Sequence, residues 1–144
     1  MKVETILSKK GRVVETIRPD RDASAALEKL RAADIGALVV SRDGSSVDGI
    51  LSERDIVRGL AKLGAGALKV QVQELMTQKV LTCTPEDSTS YLMKLMTEKR
   101  IRHVPVVSEG ALAGIVSIGD VVKNRLEELE MEAVVLRDSY IMGS

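Results

Sequence analysis

Short apolar runs rich in β-branched residues alternate along the chain with stretches whose apolar positions recur every three or four residues. That change of period marks the elements. Val13 to Ile17 carries two valines and is closed by the Pro19-Asp20 turn signal, which predicts a strand. From Asp22 to Ala33, Ala23, Ala26, Leu27 and Leu30 fall on one face among good helix formers, which predicts a helix with Gly36 ending that region. Ala37 to Val40 is an apolar run of strand length, Arg42-Asp43-Gly44-Ser45 supplies hairpin chemistry, and Val47 to Leu51 reads as the return strand. Ser52 then opens a second helix bearing Ile56, Val57, Leu60 and Leu63.

The same order recurs in the second half. It predicts strand Val80 to Thr84, helix Ser88 to Lys99, strand Val104 to Val107, turn Glu109-Gly110, strand Leu112 to Val116 and a helix from Ile118. Laid over itself with an offset of 66, the chain places Thr16 on Thr82, Pro19 on Pro85, Ile35 on Ile101, Val40 on Val106 and Gly44 on Gly110. After one deletion the offset is 65, with Gly49 on Gly114, Ile50 on Ile115, Ser52 on Ser117, Asp55 on Asp120 and Val57 on Val122. The chain is thus expected to hold two β-α-β-β-α repeats, residues 8–66 and 67–144. Gly64 to Gln73 would be the linker, leading into a short helical turn from Val72 to Met76. Units of this size bury little surface alone, so the two should pack together.

The C-terminal pattern runs past what one repeat needs. Val122, Leu126, Leu129, Ala133 and Leu136 are spaced by four and three beside Glu127, Glu128, Glu130 and Glu132. This predicts a long amphipathic helix that either covers the module's own sheet or forms a self-association surface.

Composition narrows the chemistry. With no Trp or Phe, and Tyr91 and Tyr140 as the only large aromatic residues, the core must be aliphatic. Twenty-one basic residues balance twenty-one acidic ones, so neither nucleic acid nor a membrane surface is an expected partner. Cys83 is the only cysteine, which excludes an intrachain disulfide and a two-cysteine metal site. On a strand with no histidine in register, it is expected to pack in the core. Gly64-Ala-Gly-Ala lacks the third glycine and preceding strand of a dinucleotide fingerprint. Asp20, Arg21 and Asp22 read as turn and cap residues, and Met93 and Met96 as helix core. Lys2, Glu4, Lys9, Lys10 and Arg12 interrupt the start, and no run approaches the roughly 18 apolar residues of a membrane span. A cytoplasmic protein is expected.

The strongest local signal is a doubled strand-to-helix junction, Gly49-Ile-Leu-Ser-Glu-Arg-Asp55 and Gly114-Ile-Val-Ser-Ile-Gly-Asp120. Two readings are open. Ser followed three residues later by an acid resembles a capping box, although both copies use Asp where Glu or Gln is usual. Alternatively, amides and a hydroxyl at a helix start suit a phosphate, and the carboxylate suits a ribose diol.

These paired Gly-hydrophobic-x-Ser-x-x-Asp motifs, with Thr16-Ile-Arg-Pro19, Thr82-Cys-Thr-Pro85 and Arg102-His-Val-Pro-Val-Val107, resemble the tandem cystathionine-β-synthase (CBS) repeats of a Bateman module. The resemblance runs from about Lys10 to about Arg125. It implies an α/β protein of the α+β type, its two repeats packed sheet to sheet about a pseudo-twofold axis with two related clefts. It further implies a regulatory module, not an enzyme, that binds an adenine nucleotide (AMP foremost, with ADP, ATP and NAD(H) as relatives) and signals by a conformational or partner change. No catalytic residue, catalytic cofactor or metal is expected. Residue by residue, Asp55 and Asp120 would hold ribose hydroxyls, and Ser52 and Ser117 would face ribose or phosphate. Thr16, Ile17, Arg18, Pro19, Thr82 and Thr84 would border base or phosphate. Main chain at Ala37, Val39, Val104 and Pro105 would lie along the adenine edge. The copies differ: Arg100, Arg102 and His103 precede the second central strand, and Arg54 sits inside the first motif, so phosphate contacts are assigned to Arg54, Arg102 and His103. The family also implies a homodimer and an unidentified protein partner. A scaffold of the same fold that binds no ligand is the alternative.

Overall fold

Three of the expected helices begin at short polar caps, Asp22, Ser52 and Ser88, and the apolar run Ala37–Val40 is buried on both faces. The computed structural model describes residues 1–143. Helix α1 (Val3–Lys10) precedes β1 (Thr16–Ile17), α2 (Ala23–Ala33), β2 (Ala37–Val40), β3 (Gly49–Ser52) and α3 (Glu53–Leu63). A 3-10 turn (Gly64–Lys69) and α4 (Val72–Leu75) lead to α5 (Thr89–Lys99), β4 (His103–Ser108), β5 (Ala111–Ser117) and α6 (Ile118–Gly143). Asp22 caps α2 by accepting from the Ala25 amide, and Ser88 caps α5 by accepting from the Tyr91 amide.

The first sheet runs β1-β2-β3, with β1 parallel and β3 antiparallel to β2; the second pairs β4 with β5 antiparallel. The second sheet's missing third strand corrects the sequence expectation for Val80 to Thr84, which contracts to a single parallel bridge, Cys83 to Val106. The cause is Pro105. In the first repeat the Val39 amide donates to the Glu15 carbonyl at 3.3 Å, and the Ser41 amide to Ile17 at 2.9 Å. Pro105 stands where Val39 does and has no amide proton, so only the second bond survives, from Val107 to the Cys83 carbonyl at 2.8 Å. β1 is also shorter than expected, because Val13 is 87% exposed and has no neighbour to pair with in the sheet.

Smaller corrections have local reasons. Asp34, not Gly36, ends α2 by taking a left-handed conformation (φ 52°), and its counterpart Arg100 does the same (φ 54°). The return strand starts at Gly49, two residues late, because the Asp48 carboxylate is engaged with the Arg42 amide at 2.8 Å in the turn. The supposed linker is the 3-10 turn, anchored by fully buried Ala67.

Helix α1 carries the main surprise. Val3, Ile6 and Leu7 are buried, and they pack with Cys83, Leu92, Met96, Val104, Val106, Val116 and Val121 of the second repeat. Conversely, Val72 of α4 packs with Ile17, Ala26, Leu30, Leu38, Val40, Leu51 and Ile56 of the first. The two units thus exchange helices, and matched bonds fix the exchange. Val3 donates its amide to Asp87 at 2.8 Å as Val72 does to Arg21 at 2.7 Å. Glu4 donates to Pro85 at 2.9 Å as Gln73 does to Pro19 at 3.1 Å. The doubled junction glycines serve this packing: a Cβ on Gly114 would lie 2.6 Å from Leu7, and one on Gly49 would lie 2.6 Å from the Met76 sulfur. The first hairpin turn also reaches across, its Ser45 carbonyl accepting from the Leu112 amide of β5 at 2.8 Å. The result is two related units about a pseudo-twofold, β-α-β-β-α in the first and with a single bridge at Cys83 in place of the first strand in the second, and α6 extends beyond them. Among the described residues no helix is long and apolar enough to cross a membrane.

Candidate functional site

Both Ser/Asp junctions form at strand-to-helix transitions, β3 into α3 and β5 into α6. At the first, the Asp55 amide donates to Ser52 Oγ at 3.3 Å, and the Ser52 amide and hydroxyl donate to Asp55 Oδ2 at 2.9 and 3.1 Å. At the second, the Asp120 amide donates to Ser117 Oγ at 3.1 Å and the Ser117 amide to Asp120 Oδ2 at 2.8 Å. The capping-box reading therefore holds at both. It does not use up the carboxylate: Oδ2 closes the cap, while Asp55 Oδ1 faces Thr77 Oγ1 at 3.4 Å and the Arg58 guanidinium at 3.6 Å. A carboxylate has about four lone-pair positions, so cap and ligand can share it.

Asp55 opens onto a cleft of about 330 Å³ assembled from both repeats. The first repeat contributes Gly36, Ile50, Ser52, Glu53, Arg54, Asp55 and Arg58, and Arg100, Ile101, Arg102 and His103 come from the second. Four guanidinium groups against two carboxylates make the cleft cationic. Asp55 is only 7% exposed, a buried anion at the floor of a basic cleft. The sequence-predicted residues Ser52, Arg54, Asp55, Arg102 and His103 are brought together here.

His103 lies between the two junctions. Its ring comes within 3.5 Å of where a Cβ on Gly36 would stand. Burial lowers its pKa below the usual histidine value, and the Lys10 charge adds to this; Asp120 and Glu53 oppose it and Arg102 reinforces it. The ring is thus biased toward its neutral form.

The second junction is closed differently. Lys10, at the end of α1, donates from Nζ to Asp120 Oδ2 at 2.6 Å and to the Ile115 carbonyl at 2.9 Å. Burial pushes the Asp120 carboxyl up, but the Lys10 and Ser117 hydrogen bonds and the Lys10 charge outweigh it, and the net shift is downward. Lys10, Asp120 and Lys123 line a hollow of about 90 Å³ with Ile6, Lys9, Asn124 and Glu127.

The remaining candidates lie apart from these. Thr16, Ile17 and Arg18 line a separate hollow of about 270 Å³ with Arg21, Ala25 and Lys29, whose ammonium bonds the Thr16 carbonyl. The Pro19 carbonyl is taken by α4 through the Gln73 amide. Ala37 and Val39 are buried on β2, and Val104 and Pro105 on β4, and none of the four is among the residues that line the Asp55 cleft. Thr82 and Thr84 are exposed, and the Thr84 amide donates to Asp87 at 2.8 Å. Cys83 packs in the second core with its thiol pKa pushed up to about 12, first by burial and then by Asp87. Sequence reasoning missed Arg58, Thr77 and Lys10. Arg58 was legible, one helical turn after Asp55; the other two arrive through the exchanged helices.

Known proteins share this fold. The model of the CBS domain matches the chain twice, over residues 4–62 and 72–127. The chain is 38% identical over 122 residues to the CBS domain-containing protein CBSX3, mitochondrial, of Arabidopsis thaliana, covering 82% of this chain and 59% of that protein. It spans less than two thirds of the length of the first curated relatives it matches. The CBS-domain containing protein ATU1752 from Agrobacterium tumefaciens superposes with a TM-score of 0.84 at 46% identity, over 87% of this chain and 99% of that one. The CBS domain pair of protein MJ0100, in complex with 5'-methylthioadenosine and S-adenosyl-L-methionine, has a TM-score of 0.79 at 22% identity over 89% of this chain and 98% of its own, a likeness of fold.

Proposed function

The chain belongs to the CBS-domain family, and from that premise we propose that it is a regulatory module that binds an adenine nucleotide between its repeats, AMP foremost. The observation that carries this is the basic cleft around Asp55. Its volume of about 330 Å³ falls in the roughly 300–1,000 Å³ range of small-molecule sites. A ribose diol would bond Asp55 Oδ1, and a phosphate would meet Arg54, Arg58, Arg100 and Arg102. Each hydrogen bond to a charged group contributes about 1.5–3 kcal/mol. His103, neutral, would supply a donor without adding charge. The adenosine compounds held by the MJ0100 pair support the same ligand class on this fold. Binding would tie the first repeat to Arg100 and Arg102 of the second, and so could bias the packing of the units toward a partner.

Calorimetric titration of AMP, ADP, ATP, NAD(H) and adenosine tests the proposal. AMP binding that weakens at least tenfold in Asp55→Asn and in Arg102→Ala supports it; no binding of any compound removes it. The scaffold reading keeps one specific support, since both Ser/Asp junctions are complete caps without a ligand. It predicts melting unchanged by nucleotides.

Self-association is the second part of the proposal. Val122, Leu126, Leu129 and Leu136 of α6 are 47%, 55%, 44% and 72% exposed. Val121 and Asn124 are the buried side of the same helix. The apolar stripe therefore faces away from the module's own core, which favours a homodimer interface. Leu126→Glu should lower the sedimentation coefficient toward that of a monomer; a wild-type monomer would overturn this part.

A further inference from the structure

The family match ends at residue 127, but α6 runs on to Gly143. Every residue of 129–142 is exposed, and among them only Glu130, Glu132, Arg137, Asp138 and Ser139 are polar. A lone helix shorter than roughly 15 residues is marginal in water, because most helix stability comes from packing an apolar face. The stretch therefore calls for a partner beyond the module's own core. Its apolar positions are ordered. Val122, Leu126, Leu129, Ala133, Leu136 and Tyr140 follow one another by alternating steps of four and three, the spacing of a coiled-coil seam. Val121 and Asn124 are the buried side of α6, so the seam points away from the module's body.

Charge fixes the direction of the partner. Arg125 and Glu132 stand just before the seam residues Leu126 and Ala133, while Glu130 and Arg137 stand just after Leu129 and Leu136. These are the positions that flank a seam and pair across it. In a parallel, in-register pair Arg125 meets the partner's Glu130 and Glu132 meets the partner's Arg137, each contact occurring twice by symmetry. On its own helix Arg125 reaches Glu128 at 3.2 Å and Glu132 at 3.9 Å; among the described residues neither Glu130 nor Arg137 has an ion-pair partner. The antiparallel alternatives satisfy less. Turned about the middle of the exposed stretch, Glu132 would face Ser139, and only the contact of Glu130 with Arg137 would remain. Turned about Glu127 and Glu128, the seam would leave Leu136 and Tyr140 uncovered.

We propose that the C-terminal half of α6 forms a parallel, in-register, two-stranded coiled coil with α6 of a second copy. This rests on the homodimer reading of the α6 stripe and adds the direction and register of the pair. The twofold axis then runs along α6, and both modules sit at the same end of the coil.

Oxidation of Leu136→Cys protein is the first test. In the parallel pair the two introduced thiols face each other across the seam, within the Cα separation of about 4.4–6.8 Å that a disulfide accepts. The native Cys83 is buried and does not compete. A covalent dimer is expected from Leu136→Cys and none from Asp138→Cys, which lies on the outer side of the helix. Antiparallel pairing would link residue 136 of one copy to residue 133 of the other. Crosslinking in a mixture of Leu136→Cys and Ala133→Cys proteins, with none in Leu136→Cys alone, overturns the proposal. A charge series decides the same point without cysteine. Glu132→Lys turns two attractive contacts repulsive and should weaken dimerisation about tenfold in sedimentation equilibrium, and adding Arg137→Glu should restore it. A Glu132→Lys dimer of wild-type affinity, or a double variant no tighter than Glu132→Lys, overturns the proposal. If wild-type protein is a dimer and these results go against the coil, only this inference falls. If wild-type protein is a monomer, the homodimer reading itself falls and takes the coil with it.

Discussion

The first and second repeats share a fold, a strand order and a Ser/Asp cap, yet they differ at two positions with large consequences. Val39 donates a sheet bond where Pro105 cannot, and Thr77 meets Asp55 where Lys10 meets Asp120. A duplicated unit can thus conserve its backbone plan while each copy satisfies the same acceptors with different groups. The first cleft keeps a buried carboxylate among four arginines contributed by both repeats; the second keeps a carboxylate already paired to a lysine from the exchanged helix.

The helix exchange gives the largest expected effect. Leu7 is fully buried against Gly114, whereas Met76, its counterpart on the other junction glycine, is only partly buried. Leu7→Ala should therefore cost about 2–5 kcal/mol and Met76→Ala distinctly less. Urea unfolding measures both, and equal costs would mean that α1 and α4 do not differ in how firmly they hold their adopted cores.

The proline contrast comes next. Val39→Pro removes the amide that serves the Glu15 carbonyl and should cost about 1–3 kcal/mol. Pro105→Val gains an amide but loses the proline's restraint on the unfolded chain, so its stability should stay within about 1 kcal/mol. Hydrogen exchange should then find the new residue-105 amide protected, the second sheet having acquired its third strand. A rapidly exchanging amide there would mean that something other than Pro105 shortens it.

The caps give a smaller difference. Ser52→Ala and Ser117→Ala should each cost about 0.5–2 kcal/mol. Ser52 should be the more costly, because its hydroxyl also donates to Asp55 Oδ2 while Asp120 retains Lys10. Thermal unfolding of the two variants ranks them, and a reversed order would deny Lys10 its supporting role.

Much of this was legible in the chain. The internal repeat at offsets of 66 and 65 pointed to both units, and β2, the caps Asp22 and Ser52, and the start of α6 fell where residue type placed them. The Ser/Asp junctions were legible as two alternatives, and the geometry shows that the cap uses one carboxylate oxygen and leaves the other. What could not be read was which helix serves which repeat. Helix α1 itself went unread: its apolar positions Val3, Ile6 and Leu7 are helically spaced, but the segment is short and charged, and local periodicity carries no information on its distant partner. Lys10 and Thr77 were invisible as site residues for that reason. The strand at Val80 to Thr84 failed for another: β-propensity sees the run itself, not the proline opposite it.

The finest test of the comparison is electrostatic, and the single histidine makes it clean. His103 is faced by Lys10 and Arg102, which lower its pKa along with burial, and by Asp120 and Glu53, which raise it. The folded value lies below the ordinary one near 6.5, so the unfolded chain binds more protons between the two. Stability from this group is therefore complete above about pH 6.5 and declines as pH falls toward the folded value. His103→Gln should flatten that decline. Lys10→Met removes a charge that lowers the histidine and leaves Asp120 unpaired, so both changes move the His103 midpoint upward. The proton NMR titration of one imidazole reads this directly. A midpoint that stays put or moves down in Lys10→Met would show that Lys10 does not stand beside Asp120 and His103, and the asymmetry of the two clefts would lose its charge.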